Sequence, residues 1–170
     1  ERDGGKLRTG VDAQVRLAFA RVAGEIELES GNLAQAWAEV RTVIDDDHRG
    51  LPAYDLPLLM VAARVLARII AANGAIDLDT TAAEAQLRTA LTRYAHWPTA
   101  PIYTEVAEAE LGGEDRTGTD AVLWSRAVDT VGATTAPAFL RPYVLARLAE
   151  ALAFAGSRAE ALSTAKRARE

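Results

Sequence analysis

Leu145-Ala-Arg-Leu148-Ala149-Glu-Ala-Leu152-Ala-Phe-Ala-Gly156-Ser157-Arg-Ala-Glu160-Ala161-Leu-Ser-Thr-Ala165-Lys-Arg-Ala168 is the stretch whose reading decides the fold. Leu145, Leu148, Ala149 and Leu152 recur at helical spacing, and glycine at position 156 suits the end of that helix. Ser157 and Glu160 stand three apart, the spacing of a capping box, so a second helix is predicted at once. Its apolar side would carry Ala161, Ala165 and Ala168. A helix, a glycine turn and a second helix form one repeat unit.

The same unit recurs near the start of the chain. Gly31 precedes Ala36 by five residues, as Gly156 precedes Ala161. Eight residues before Gly156 stands Leu148, followed by Ala149; eight before Gly31 stand Ala23 and Gly24. These are the large-then-small positions of a tetratricopeptide helix pair, where the two helices pack closely. Self-similarity of this kind favours a solenoid over a closed bundle.

Between these ends the chain reads as helices throughout. Residues 1–10 are polar and glycine-rich and read as a flexible leader or linker. From Val11, a helix with Val15, Phe19, Val22, Ala23 and Ile26 on one face runs to Gly31. Asn32, with Gln35 three residues on, is expected to cap a second helix. That helix would bury Leu33, Ala36, Trp37, Val40, Val43 and Ile44. A third, from Pro52 or Asp55 to Asn73, is apolar nearly all round, so it should be central; its prolines fit only the first turn. Thr81 and Glu84 are expected to cap a fourth, burying Leu87, Ala90, Leu91 and Tyr94. A fifth starts between Pro98 and Pro101 and runs to about Leu111, and a sixth carries Leu123, Trp124, Ala127, Val128 and Val131. Pro142 opens the seventh and Ser157 caps the eighth. The expected fold is all-α: about eight helices in four antiparallel hairpins, forming a tetratricopeptide-like right-handed superhelix over residues 11–170.

Composition agrees with this reading and excludes several functions. Hydrophobic residues make up 49% of the 170 but aromatic ones only 6%, because alanine and leucine, strong helix formers, dominate. A formal charge of −5 argues against this segment gripping nucleic acid directly. Without cysteine there is neither a disulfide framework nor a thiolate zinc site. The longest apolar run, residues 56–72, is interrupted by Arg64 and Arg68 and does not reach membrane-spanning character. A cytoplasmic location is the simplest expectation. The chain starts at Glu1, with no signal-peptide pattern, and reads as a piece of a larger protein.

Two stretches carry a family resemblance: Trp124-Ser-Arg-Ala-Val-Asp-Thr-Val-Gly132, and Arg141-Pro-Tyr-Val-Leu-Ala-Arg-Leu-Ala-Glu followed by the Gly156 hairpin through Leu162. Together they resemble the tetratricopeptide-like helical region of large LuxR-family, MalT-like transcriptional regulators of actinobacteria. In that family the region lies between an ATP-binding domain and a C-terminal DNA-binding helix-turn-helix. The resemblance implies a non-catalytic module that senses a ligand or protein partner and relays the signal to those domains. A tetratricopeptide scaffold for protein–protein interaction outside transcription is the alternative. Gly4-Gly5-Lys6-Leu7 is not a phosphate-binding loop, since the required Ser or Thr after lysine is missing. No cofactor is implied.

Among candidate sites, Asp45-Asp46-Asp47-His48 is the only cluster with metal-ligand chemistry, but adjacent side chains diverge and calcium-loop spacing is absent. An exposed acidic loop is the simpler reading, and no metal site is expected. His96, beside Trp97 and Pro98, reads as a structural corner, and no nucleophile sits in a catalytic pattern. Trp37 and Trp124 belong to apolar stripes, whereas Trp97 should be partly exposed. A concave groove is the better candidate. Carrying the repeat register through, Arg21, Glu25, Arg64, Arg68, Tyr103, Glu110, Tyr143, Glu150 and Phe154 would line it from the first helix of each pair. Arg64 and Arg68, four apart, suit a carboxylate or phosphate; pairing with glutamates of a neighbouring helix is the alternative. The expected occupant is a protein or small-molecule effector. Leu162, on the outer side of the last helix, could support a homodimer through the exposed terminal repeat.

Overall fold

The computed structural model describes residues 4–45, 50–74, 76–112 and 119–170, with side chains described from residue 12 and, after the last break, from residue 121. The described residues are all-α, with no strand. The helices are α1 (Gly4–Glu29), α2 (Leu33–Val40), α3 (Pro52–Ala71), α4 (Thr80–Thr92), α5 (Ala100–Gly112), α6 (Thr119–Gly132), α7 (Leu140–Phe154) and α8 (Arg158–Arg167). They divide into two units, residues 1–94 and 95–170. The backbone of residues 4–10, expected as a leader, is part of α1.

The two glycine turns read from the sequence have the same construction. Gly31 and Gly156 take φ of +79° and +86°, a left-handed conformation that costs a side-chain-bearing residue energy. At the first, Gly31 N–H donates to Leu28 O and Asn32 N–H to Glu27 O; at the second, Gly156 donates to Ala153 O and Ser157 to Leu152 O. Each pair satisfies carbonyls that the helix end leaves open. Ala36 N–H then donates to Asn32 O and Ala161 N–H to Ser157 O, which starts the next helix in the same register. Ala36 and Ala161 are both buried.

The capping side chains differ from expectation. Asn32 makes no cap bond; its amide donates to Glu27 instead, and Gln35 donates to Glu39. Ser157 also makes no cap bond. At α4 the cap is Asp79, which accepts from Ala82 N–H at 3.0 Å, while Glu84 pairs with Arg88 one turn on. Asn32 and Ser157 have ψ of 66° and 58°, away from the extended conformation in which a capping side chain reaches the next helix's N–H groups.

In unit 1, α3 packs against α1, α2 and α4 and is buried on nearly every side, as its apolar circumference requires. Leu56, Leu58, Leu59 and Leu66 are fully buried, each contributing about 2 kcal/mol of hydrophobic stabilisation. The helix starts at Pro52, so Pro57 falls beyond the first turn. Ala53, whose carbonyl loses its N–H partner there, is exposed, and water can accept that role. After Val40, α2 tightens into a 3-10 turn, Arg41–Val43, which still buries Val43 and Ile44. The face of α1 is the main departure. Val15, Phe19, Val22 and Ile26 are exposed, and Leu17, Gly24 and Leu28 face the core instead. Close approach explains it: a Cβ at Gly24 would lie 2.5 Å from Val40 Cγ1, so only the small-residue side of α1 fits against α2. In unit 2, α5 packs on α6, α6 on α7 and α7 on α8, around buried Ile102, Val106, Trp124, Ala127, Leu140 and Leu145.

Two glycines separate packing from helix propensity. Gly24→Ala gains helix propensity but forces buried Val40 aside, and we expect a net loss of about 1–2 kcal/mol. Gly132→Ala meets no atom within 4 Å and should be stabilising by about 0.5 kcal/mol. Urea unfolding of both variants checks this; stabilisation of Gly24→Ala would contradict the close α1–α2 packing.

Candidate functional site

Unit 2 assembles a polar cluster from three helices. Glu110 on α5 is buried, and leaving its carboxylate without donors would cost several kcal/mol. Tyr143 on α7 donates its hydroxyl to Glu110 Oε1. One turn on, Arg147 donates from Nη2 to Glu110 Oε2 at 3.2 Å and from Nη1 to Glu150 Oε2 at 2.5 Å. The Arg147 guanidinium also lies over the Trp124 ring of α6, 5.1 Å from its centroid. Trp124 in turn meets Tyr143 edge-on, with centroids 6.1 Å apart. Arg147 is therefore fixed by a buried carboxylate on one side and an aromatic face on another.

Tyr143 and Glu150 stand seven residues, about two turns, apart on the same helix, and this spacing brings Arg147 between them. Burial alone would lower the pKa of Arg147. The field of Glu110, with Tyr143 and Glu150 behind it, outweighs burial and holds the pKa above the ordinary arginine value. The two carboxylates differ in kind. The Glu110 side chain is 1% exposed and Glu150 65%, so the first is a fixed part of the fold and the second can swing into solvent. Arg147 itself is 30% exposed, and its buried Nε has no hydrogen-bond partner. A planar donor fork with one side anchored and the other paired, among the described residues, with an exposed carboxylate can bind a carboxylate or phosphate from outside.

The other expected groove residues distribute as follows. Tyr103 is buried on α5, and Phe154 is exposed at the end of α7. In unit 1, Arg21 and Glu25 are half-buried on α1. Arg64 pairs with Glu29 of α1 at 2.6 Å, which is the structural alternative weighed for it, and Arg68 is exposed one turn on. Polar ties join α1 to α3 in one unit and α5 to α7 in the other, and Arg126 of α6 also pairs with Glu105 of α5 at 2.9 Å. Arg147 was missed, although its spacing of four from Tyr143 and three from Glu150 was in plain sight. A separate cleft of about 270 Å³ in unit 2 is lined by Val144, Leu145, Asp129, Arg141 and Arg167 among others, and by none of the expected groove residues.

Of the acidic run, Asp45 is exposed and residues 46–48 lie outside the described residues. No group of three metal-ligating side chains occurs among the described residues. His96 is exposed, as is Trp97, while Trp37 and Trp124 are buried. No helix among the described residues is long and apolar enough to cross a membrane.

The second buried carboxylate, Asp55 in unit 1, has a structural role. It accepts from Leu51 N–H at 2.5 Å, closing the start of α3, and from the Tyr94 hydroxyl at 2.6 Å. The neighbouring Arg93 donates to Ile44 O at 2.6 Å and Asp45 O at 3.1 Å. The end of α4 thereby holds both ends of the α2–α3 connection.

No protein family, curated protein or solved structure matches this chain.

Burial, then the hydrogen bond to Asp55 and its charge, raise the pKa of Tyr94 above the ordinary tyrosine value. The folded state thus holds this proton more tightly than the unfolded chain. Its stabilisation is complete below about pH 10 and is lost as pH rises further. We expect Tyr94→Phe to cost about 1–3 kcal/mol at pH 8 and to reduce the fall in urea midpoint between pH 8 and pH 11. An equal fall in both proteins would contradict the assignment.

Proposed function

We propose that this chain is a non-catalytic helical-repeat binding module that receives a carboxylate-bearing ligand or protein partner at Arg147. The observation that carries this reading is the asymmetric holding of that guanidinium. Trp124 and buried Glu110 fix it, while exposed Glu150 occupies its outward position. A ligand carboxylate would take over the place of Glu150, exchanging one ion pair for another at an arginine already oriented, so little ordering cost remains.

The finer architecture belongs to the same proposal. Matching glycine turns at 31 and 156 support tetratricopeptide-like pairs, and the ion pairs Arg64–Glu29 and Arg147–Glu110 link the first helices of successive pairs within each unit. The right-handed superhelical course rests on the repeat register alone. The resemblance of residues 124–162 to LuxR-family, MalT-like regulators supplies a biological setting. There the module would sense an effector in the cytoplasm and pass the signal to ATP-binding and DNA-binding domains.

The buried Nε–H of Arg147 offers a direct readout by nitrogen-resolved NMR. Titration with succinate, and with a short peptide bearing a free C-terminal carboxylate, should shift this signal saturably. Glu150→Gln should strengthen the response; for Arg147→Lys, which removes the reporting group, binding is read by isothermal titration calorimetry and should be lost with the planar fork. An unmoved signal in wild type and Glu150→Gln up to about 10 mM ligand would refute the proposal.

A further inference from the structure

Just past the end of α3, Asn73 and Gly74 bring a side-chain amide and an unhindered backbone nitrogen together in open solvent. Both residues are exposed. Asn73 takes φ of +38° and Gly74 φ of +88°. Asparagine is one of the few side-chain-bearing residues that tolerate a left-handed backbone, so the turn accounts for its main chain. Its side chain has no such explanation. Neither the Asn73 carboxamide nor the Gly74 N–H has a hydrogen-bond partner among the described residues. A Cβ at Gly74 would meet no atom within 4 Å.

Two such groups can react with each other. Attack of the Gly74 nitrogen on Asn73 Cγ closes a succinimide ring. The N–Cγ bond forms, the Cγ–Nδ2 bond breaks, and Nδ2 leaves as ammonia with the proton given up by the Gly74 amide. Water then opens the ring. Cleavage of the new N–Cγ bond leaves aspartate, whereas cleavage between that nitrogen and the main-chain carbonyl carbon of residue 73 leaves isoaspartate. Because the first step is intramolecular, it needs only that both groups be free and able to approach. A hydrogen bond would hold either group away, and a side chain at position 74 would crowd the nitrogen.

The chain contains its own control. Asn32 is the other asparagine and is followed by Leu33. Its carboxamide donates to Glu27 at 2.7 Å, and Leu33 N–H donates to Gly31 O at 3.0 Å. Electrophile and nucleophile are both engaged there, and the leucine side chain crowds the nitrogen. We infer that Asn73–Gly74 is a self-modification site, converted in the native chain by ring closure and hydrolysis to aspartate and isoaspartate, while Asn32 is spared. Either product places a carboxylate beyond the carbonyl end of α3, where the helix macrodipole disfavours it. The inference is independent of the binding proposed at Arg147.

Trypsin digestion and mass spectrometry after incubation at physiological temperature and mildly basic pH test this. The whole chain is incubated for as long as a synthetic peptide of residues 69–88 takes to convert. In the whole chain, the tryptic peptide of residues 69–88 should gain about 1 Da at position 73 and divide into two species of equal mass. The peptide of residues 22–41, which carries Asn32, should keep its mass. Gly74→Ala should slow the gain about tenfold or more, and Asn73→Ser should remove it, both with helicity by circular dichroism unchanged. Should Gly74→Ala disturb folding, the comparison of the two wild-type peptides decides alone. An unchanged mass at residues 69–88 in the whole chain, an equal gain at Asn32, or an unslowed, folded Gly74→Ala variant would each overturn the inference.

Discussion

A carboxylate taken out of water has to be given donors, and that constraint organises each half of this chain. In unit 1 the carboxylate is Asp55. It ties the start of the central helix to the end of α4 through Leu51 N–H and the Tyr94 hydroxyl. In unit 2 it is Glu110, which draws Tyr143 and Arg147 of α7 onto α5. Hydrophobic packing among alanine- and leucine-rich helices has little directional preference. A buried acid with two donors, by contrast, permits only one register of the helices around it.

The two acids nevertheless serve different ends. Asp55 is buried, and the donors to it include a backbone amide and a phenol. Around Glu110 one donor is a guanidinium whose other edge reaches the surface and, among the described residues, pairs there with Glu150. The same device that locks α5 to α7 therefore also presents an oriented cation, backed by Trp124, to whatever approaches. On the proposed reading, stability and recognition share one side chain, held among α5, α6 and α7 and apart from the cleft beside Arg141 and Arg167.

Much of the fold was legible because it depends on local signals. The glycines at 31 and 156 encode their turns directly, through a backbone conformation that few other residues tolerate. The apolar circumference of α3 encoded its central position, and the stripe of α4 its buried face. What failed depended on tertiary competition. The capping boxes at Asn32 and Ser157 have the right residues, but the backbone leaving each glycine turn is not in the extended conformation that capping requires. The larger apolar face of α1 points outward because Gly24, on the opposite side, offers the closer fit to Val40. At the site, Tyr143, Glu150 and Glu110 were accessible from the repeat register. Arg147 was not singled out, because an arginine between exposed positions looks like any solvated residue until a buried acid is placed opposite it.

Coupling between Glu110 and Arg147 is the most direct measure of that shared role. A double-mutant cycle with Glu110→Gln and Arg147→Met, followed by urea unfolding, reads it without reference to any ligand. Arg147→Met should be strongly destabilising, by about 3 kcal/mol, because it leaves buried Glu110 without its cation; Glu110→Gln should cost about 1 kcal/mol, since Arg147 is 30% exposed and keeps Glu150. The double variant should recover much of that loss, giving a coupling of about 1.5 kcal/mol or more. Strictly additive losses would mean that the two residues act separately, and that Arg147 is not held in place by the buried acid.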